Sequence, residues 1–120
     1  MSQNFKIGVI GSGTMGNGIA HIAAQSGFQT LLIDINQKQL DKALSVIEKN
    51  LDRQINKKVI SLTDKTNILN NISLDTNISS CKDMDLVIEA VPEKYDLKVS
   101  VFKELDSVCK KSTILASNTS

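Results

Sequence analysis

Aromatic side chains are scarce: the 120 residues contain no tryptophan, one tyrosine and three phenylalanines, 3% in all. Platforms on which nucleic-acid bases stack need several such rings, so this scarcity argues against a base-stacking role. Charge of a single sign is lacking too. Fourteen Lys and Arg stand against 13 Asp and Glu, leaving a net charge of +1 and a pI near 7.7, without the footprint of a nucleic-acid or membrane-surface partner. No apolar run approaches the roughly 18 residues that span a bilayer. The polar opening Met1-Ser2-Gln3-Asn4 has neither the charged start nor the long apolar stretch of a secretory signal. The expectation is a cytoplasmic protein with no nucleic acid and no membrane among its partners. Cysteine occurs twice, at Cys81 and Cys109, with no CxxC pair; two reduced thiols are expected, with no disulfide and no metal site. Proline occurs once (Pro92) and histidine once (His21). Repeats, low-complexity tracts and linker-like stretches are missing, so residues 1–120 read as one domain, large enough to bury roughly two thirds of its unfolded surface.

What is present alternates. Phe5-Lys6-Ile7-Gly8-Val9-Ile10 is a short apolar run that stops at a glycine cluster, the pattern of a buried strand. Ile19, Ile22 and Ala23 follow at helical spacing, with Gly27 placed to end the helix. Thr30-Leu31-Leu32-Ile33 is a second buried strand, closed by Asp34. From Gln37 to about Lys57, Leu40, Leu44, Ile47, Leu51 and Ile55 recur in steps of three and four, which predicts a long amphipathic helix. A short helix near Asp64 to Leu69 and a short strand at Ile72-Ser73-Leu74 are expected next. Asp85 to Val91 reads as a strand ended by Pro92. Leu97, Val101, Leu105 and Val108 mark a helix, and Thr113 to Ser117 a fifth strand. Strands apolar on both faces, alternating with helices, predict an α/β fold of Rossmann type: a doubly wound parallel sheet with helices on both faces, broken off after about the fifth strand.

Gly11, Gly13 and Gly16 stand at G-x-G-x-x-G spacing between the first strand and the first helix. In such a loop the first glycine permits the tight turn and the second lets backbone approach a pyrophosphate. The third lets helix pack closely on strand. Gly11, Ser12, Gly13, Thr14, Met15 and Gly16 are therefore the expected pyrophosphate loop, with the helix N-terminus offering amides and partial positive charge to the phosphates. Met15 is expected to pack on the cofactor, and His21, inside the first helix, to be structural. Asp34 stands about 20 residues past the loop, where a carboxylate can accept from both adenosine ribose hydroxyls; capping the following helix is its plainer alternative. A 2′-phosphate beside Asp34 would meet repulsion of roughly 4 kcal/mol per charge pair. No arginine stands at positions 35 to 37 to offset it. The expected cofactor is NAD rather than NADP.

The loop Ile7 to Ala20, the stretch Val87-Ile88-Glu89-Ala90-Val91-Pro92-Glu93, then Lys98 and Phe102, and the ending Ala116-Ser117-Asn118-Thr119-Ser120 together closely resemble the N-terminal part of the 3-hydroxyacyl-CoA dehydrogenases and of their bacterial 3-hydroxybutyryl-CoA dehydrogenase branch. The likeness runs over nearly the whole chain, and its later motifs are more specific than the glycine loop. It implies that Glu93 and Lys98 contact the nicotinamide half of NAD. It implies too that Ser120 is the active-site serine near the substrate's reacting oxygen and the nicotinamide, with Asn118 in the same motif. Asn50, where some members carry serine, and Lys57 align with positions that touch the coenzyme A moiety. A solvated helix end is the plainer reading of Lys57 and its neighbour Lys58.

The activity so implied is NAD-dependent interconversion of an (S)-3-hydroxyacyl-CoA, 3-hydroxybutyryl-CoA above all, and its 3-oxoacyl-CoA, in fatty-acid or butanoate metabolism. The usual 3-2-1-4-5-6 strand order places a sixth strand after Ser120, and the resemblance further implies a histidine–glutamate general base and a mainly helical substrate and dimerisation domain there, with a homodimer as the full-length form. On this reading residues 1–120 alone bind NAD weakly, self-associate along the fifth strand and do not turn over an acyl-CoA. Two other functions remain open from sequence: a related dehydrogenase of a free hydroxy acid, and a non-catalytic module that senses NAD(H).

Overall fold

The computed structural model describes residues 5–91 and 95–117. Five strands run along these residues: β1 Lys6–Ile10, β2 Gln29–Ile33, β3 Ile72–Asp75, β4 Leu86–Glu89 and β5 Ile114–Ser117. All pair in parallel, in the spatial order β3-β2-β1-β4-β5. Four helices connect them: α1 Thr14–Gln25, α2 Gln37–Asn56, α3 Leu62–Asn70 and α4 Tyr95–Val108. The order is that of a doubly wound sheet, as the sequence pattern predicts.

Side chains alternate across each strand, so one apolar run feeds two cores. Ile7 and Val9 of β1 and Leu32 of β2 pack with Ala20 and Ala23 of α1 and with Leu40 and Ala43 of α2. Ile10, Leu31, Ile33 and Val87 face the opposite way, onto Val101 and Leu105 of α4. A third cluster, Ala24, Ile47, Leu51 and Ile68, fastens α3 to α1 and α2. Cys81 lies fully buried in the second core, on a 3₁₀ segment at Ile78–Asp83. Burial, with Cys109 and Asp75 adding, pushes its thiol up to about 12. A thiol so hard to ionise packs rather than reacts; both cysteines are free.

Local chemistry sets where elements begin and end. Asn36 caps α2, its side chain accepting from the amides of Lys38 and Gln39. Ser61 and Asp64 form a reciprocal capping box that starts α3 two residues before the predicted helix. Phe28 N–H donates back to Ala23 C=O past Gly27, closing α1 at the glycine that the sequence marks. Strand β4 is shorter than the expected Asp85 to Val91. Ala90 N–H still reaches Ile10 C=O, but Val91 N–H turns to the Glu89 carboxylate instead of the sheet. The expected stop at Pro92 lies outside the described residues. At the opposite sheet edge, Asp85 accepts from Lys6 N–H at 2.8 Å, a bond that holds its carboxyl below the usual range. Among the described residues no helix is long and apolar enough to cross a membrane.

Candidate functional site

Because every strand runs the same way, their carboxyl ends, Ile10, Ile33, Asp75, Glu89 and Ser117, share one edge of the sheet. The chain winds outward from β1 to β3 on one side and from β4 to β5 on the other. The crevice of such a sheet opens at that reversal, over the ends of β1 and β4.

The glycine loop fills it in a specific way. Gly11 leaves β1 with φ of +101° and donates to Ile33 C=O at 2.7 Å. A Cβ there would stand 2.7 Å from Ala90 C=O, at the exit of β4. At Gly16 a Cβ would stand 1.7 Å from Gly11 C=O, so the first turn of α1 lies against the loop with no room for a methyl. Gly13 is the reverse: it is exposed, and a Cβ would meet nothing within 4 Å. It is also the N-cap of α1, with no side-chain cap and no acidic residue in the following turn. The amides of Thr14, Met15 and Gly16 have no acceptor within the helix by its geometry. This combination, closed at Gly11 and Gly16 and open at Gly13, fits a phosphate group seated on a helix N-terminus. Met15 stands beside it, 58% exposed.

Asp34 follows β2 at the same edge. Its Oδ2 accepts from Ser12 N–H at 3.0 Å and from Ser12 Oγ at 2.8 Å, and its Oδ1 from Asn36 N–H at 3.1 Å. The carboxylate thus ties the glycine loop to the end of β2. The α2 cap is Asn36 itself, so helix capping does not account for Asp34.

On the other side of the crevice stands a residue that sequence reading notes only as part of a motif. Glu89, the last residue of β4, has no exposed surface. Its Oε1 accepts from Ser117 Oγ at 2.6 Å and its Oε2 from Val91 N–H at 2.6 Å, and Lys98 Nζ lies 3.0 Å from each oxygen. Removing one partner of a buried ion pair costs about 3–5 kcal/mol, because the other charge is left uncompensated. The signal was present in the sequence: a carboxylate inside an apolar strand demands a cation, and Lys98 follows nine residues on.

Of the residues marked from sequence, the fold brings Gly11 to Gly16, Asp34 and Lys98 to this edge. Glu93, Asn118 and Ser120 lie outside the described residues. Asn50 and Lys57 stand on the distal half and at the C-cap of α2, a helix about 30 Å long at 1.5 Å per residue. Asn50 accepts from Arg53 at 3.1 Å. His21 lies on α1 facing α2, with Nε2 2.8 Å from Gln25 Oε1 and 3.3 Å from Gln54 Nε2.

Comparison with known proteins gives the site a lineage. The family model of the 3-hydroxyacyl-CoA dehydrogenase NAD binding domain matches residues 6–120. A 3-hydroxybutyryl-CoA dehydrogenase of Clostridioides difficile is 45% identical over 115 residues, covering 96% of this chain and 41% of its own length. One of Bradyrhizobium diazoefficiens is 44% identical, with 96% and 39% covered. The crystal structure of (S)-3-hydroxybutyryl-CoA dehydrogenase from Ralstonia eutropha superposes with a TM-score of 0.93 at 39% identity, over 96% of this chain and 41% of that one. The chain spans about two fifths of the length of these relatives, and that part carries the glycine loop, Asp34 and the Glu89–Lys98 pair. With its sheet order, its open Gly13 and its sequence all pointing the same way, the chain belongs to the 3-hydroxyacyl-CoA dehydrogenase family, as an NAD-binding domain.

Proposed function

We propose that this domain serves an NAD-dependent oxidoreductase that interconverts (S)-3-hydroxyacyl-CoA and 3-oxoacyl-CoA, with 3-hydroxybutyryl-CoA as its substrate. The carrying observation is the crevice in which an open glycine at a helix N-terminus, the Asp34 carboxylate and the buried Glu89–Lys98 ion pair line one sheet edge. The names of the relatives support the acyl-CoA assignment. The protein acts in the cytoplasm, in fatty-acid β-oxidation or butanoate metabolism, as a homodimer at full length with a helical substrate domain following residues 1–120.

In this reading the amides of Thr14, Met15 and Gly16 hold the pyrophosphate, and Asp34 accepts from the adenosine ribose. Bound here, NAD would supply hydride-transfer chemistry for C3 of the substrate. Glu93 and Lys98 orient the nicotinamide, and the Ser120 hydroxyl, with Asn118, hydrogen-bonds the reacting oxygen. Asn50 and Lys57 reach the coenzyme A. Oxidation also frees the hydroxyl proton, which needs a general base. His21, bonded to glutamines on the helical layer, is not placed for that. The reading assigns the proton to a histidine–glutamate pair that follows the serine motif, outside these 120 residues.

An assay on the protein at its full natural length tests this. NADH should be oxidised with acetoacetyl-CoA and not with free acetoacetate, and free CoA should inhibit. Turnover of the free acid with no response to CoA would overturn the acyl-CoA assignment.

A further inference from the structure

We propose that Glu89 is the positioning residue of the nicotinamide side, the carboxylate on which the exit of β4, Lys98 and the exit of β5 are gathered into one site. The inference rests on the dinucleotide reading above and assigns a role within it to a residue that touches neither cofactor nor substrate.

A carboxylate offers two oxygens with about four acceptor sites. Glu89 uses two at each oxygen: Oε1 receives Ser117 Oγ and Lys98 Nζ, while Oε2 receives Val91 N–H and Lys98 Nζ. It is also fully buried. With its acceptor sites filled and no exposed surface, it can influence a ligand only through its partners. Each partner leads to a segment with an assigned task. The Val91 amide is held at the exit of β4, two residues before Glu93 in the sequence. The Ser117 hydroxyl sets the last residue of β5, just before Asn118. The Lys98 ammonium is drawn down to both oxygens, which fixes it above the strand ends. Among the described residues none of these bonds reaches the glycine loop or Asp34, whose own hydrogen bonds run to Ser12, Ile33 and Asn36, although Gly11 packs on the Ala90 backbone. The hydrogen bonds that hold the two halves of the crevice are therefore distinct, and Glu89 receives those of one half.

That division can be read with two ligands. ADP-ribose fills the adenosine and pyrophosphate half, whereas NADH adds the nicotinamide. In calorimetric titrations, Glu89→Gln, which keeps the shape and removes the charge, should leave the ADP-ribose Kd within about twofold and raise the NADH Kd about tenfold. The rise in nicotinamide fluorescence on binding should fall with it. Lys98→Met, which also removes the ammonium that orients the nicotinamide, should weaken NADH and spare ADP-ribose in the same way, and the double variant should lose less than the two single losses combined, since part of the effect of Glu89 runs through Lys98. Equal losses for both ligands, or additive losses in the double variant, would show a general structural role and overturn the inference. If Glu89→Gln does not fold, Ser117→Ala in the native background carries the test. It should weaken NADH about threefold and ADP-ribose not at all, and no change in either would overturn the inference. A native protein that binds neither ligand would instead overturn the dinucleotide reading.

Discussion

Gly16→Ala should abolish NADH binding and lower the thermal midpoint by many degrees, whereas Gly13→Ala should leave the fold intact and weaken NADH alone. The two glycines stand three residues apart and differ in what a methyl would meet. At Gly16 the added carbon would lie 1.7 Å from Gly11 C=O, and neither partner is a flexible side chain that could move aside. Either α1 lifts off the loop or Gly11 shifts against Ala90, and both movements dismantle the crevice. Overpacking of this kind costs about 1–3 kcal/mol or more, and in a domain this size each kcal/mol lowers the midpoint by about 4 °C. At Gly13 the methyl enters space that protein atoms leave empty. Its effect falls on whatever occupies that space, and the expected loss is about tenfold to a hundredfold in NADH affinity at an unchanged midpoint. Differential scanning fluorimetry with NADH titration separates the two. A Gly13→Ala protein that binds NADH as well as the native one would place the pyrophosphate elsewhere.

Asp34→Ala should raise the NADH Kd by about a hundredfold and reduce the preference for NADH over NADPH to about tenfold or less. The carboxylate has two tasks. It accepts from Ser12 N–H and Oγ, so its removal leaves both donors of buried Ser12, 4% exposed, without their acceptor and loosens the loop. An unsatisfied buried donor costs about 1–3 kcal/mol. It also repels a 2′-phosphate, at about 4 kcal/mol per charge pair at contact distance, equivalent to roughly a thousandfold. Only the second effect discriminates between the two cofactors. Competition titrations with both nucleotides measure it, and an Asp34→Ala protein that still rejects NADPH as the native one does would move the discrimination to another residue.

Much of this architecture is visible in the chain because it rests on short-range pattern. Ile7 and Val9 alternate with Gly8 and Ile10, and the α2 stripe runs through Leu40, Ile47 and Leu51, each buried as its spacing requires. The glycine loop and Asp34 could be placed because β1, α1 and β2 follow one another directly. What escaped depends on contacts distant in sequence. The end of β4 is decided by the Glu89 side chain taking Val91 N–H, and Glu89 can be buried only because Ser117, 28 residues away, and Lys98 come to meet it. The Ser12–Asp34 clamp spans 22 residues in the same manner. The 3₁₀ segment at Ile78–Asp83 has too few apolar residues to show a period, and is held by Asn77 at its start and Cys81 in the core.

The dinucleotide is expected along the carboxyl edge of the sheet, with its pyrophosphate over Gly13. Amide chemical shifts of the ¹⁵N-labelled protein, followed while NAD is added, test it residue by residue. Saturable shifts are expected at Ser12 to Gly16, at Asp34 to Asn36 and at Val91, with the α2 amides beyond Asn50 unmoved. Shifts confined to the opposite edge, around Lys6 and Asp85, or none at all, would contradict it.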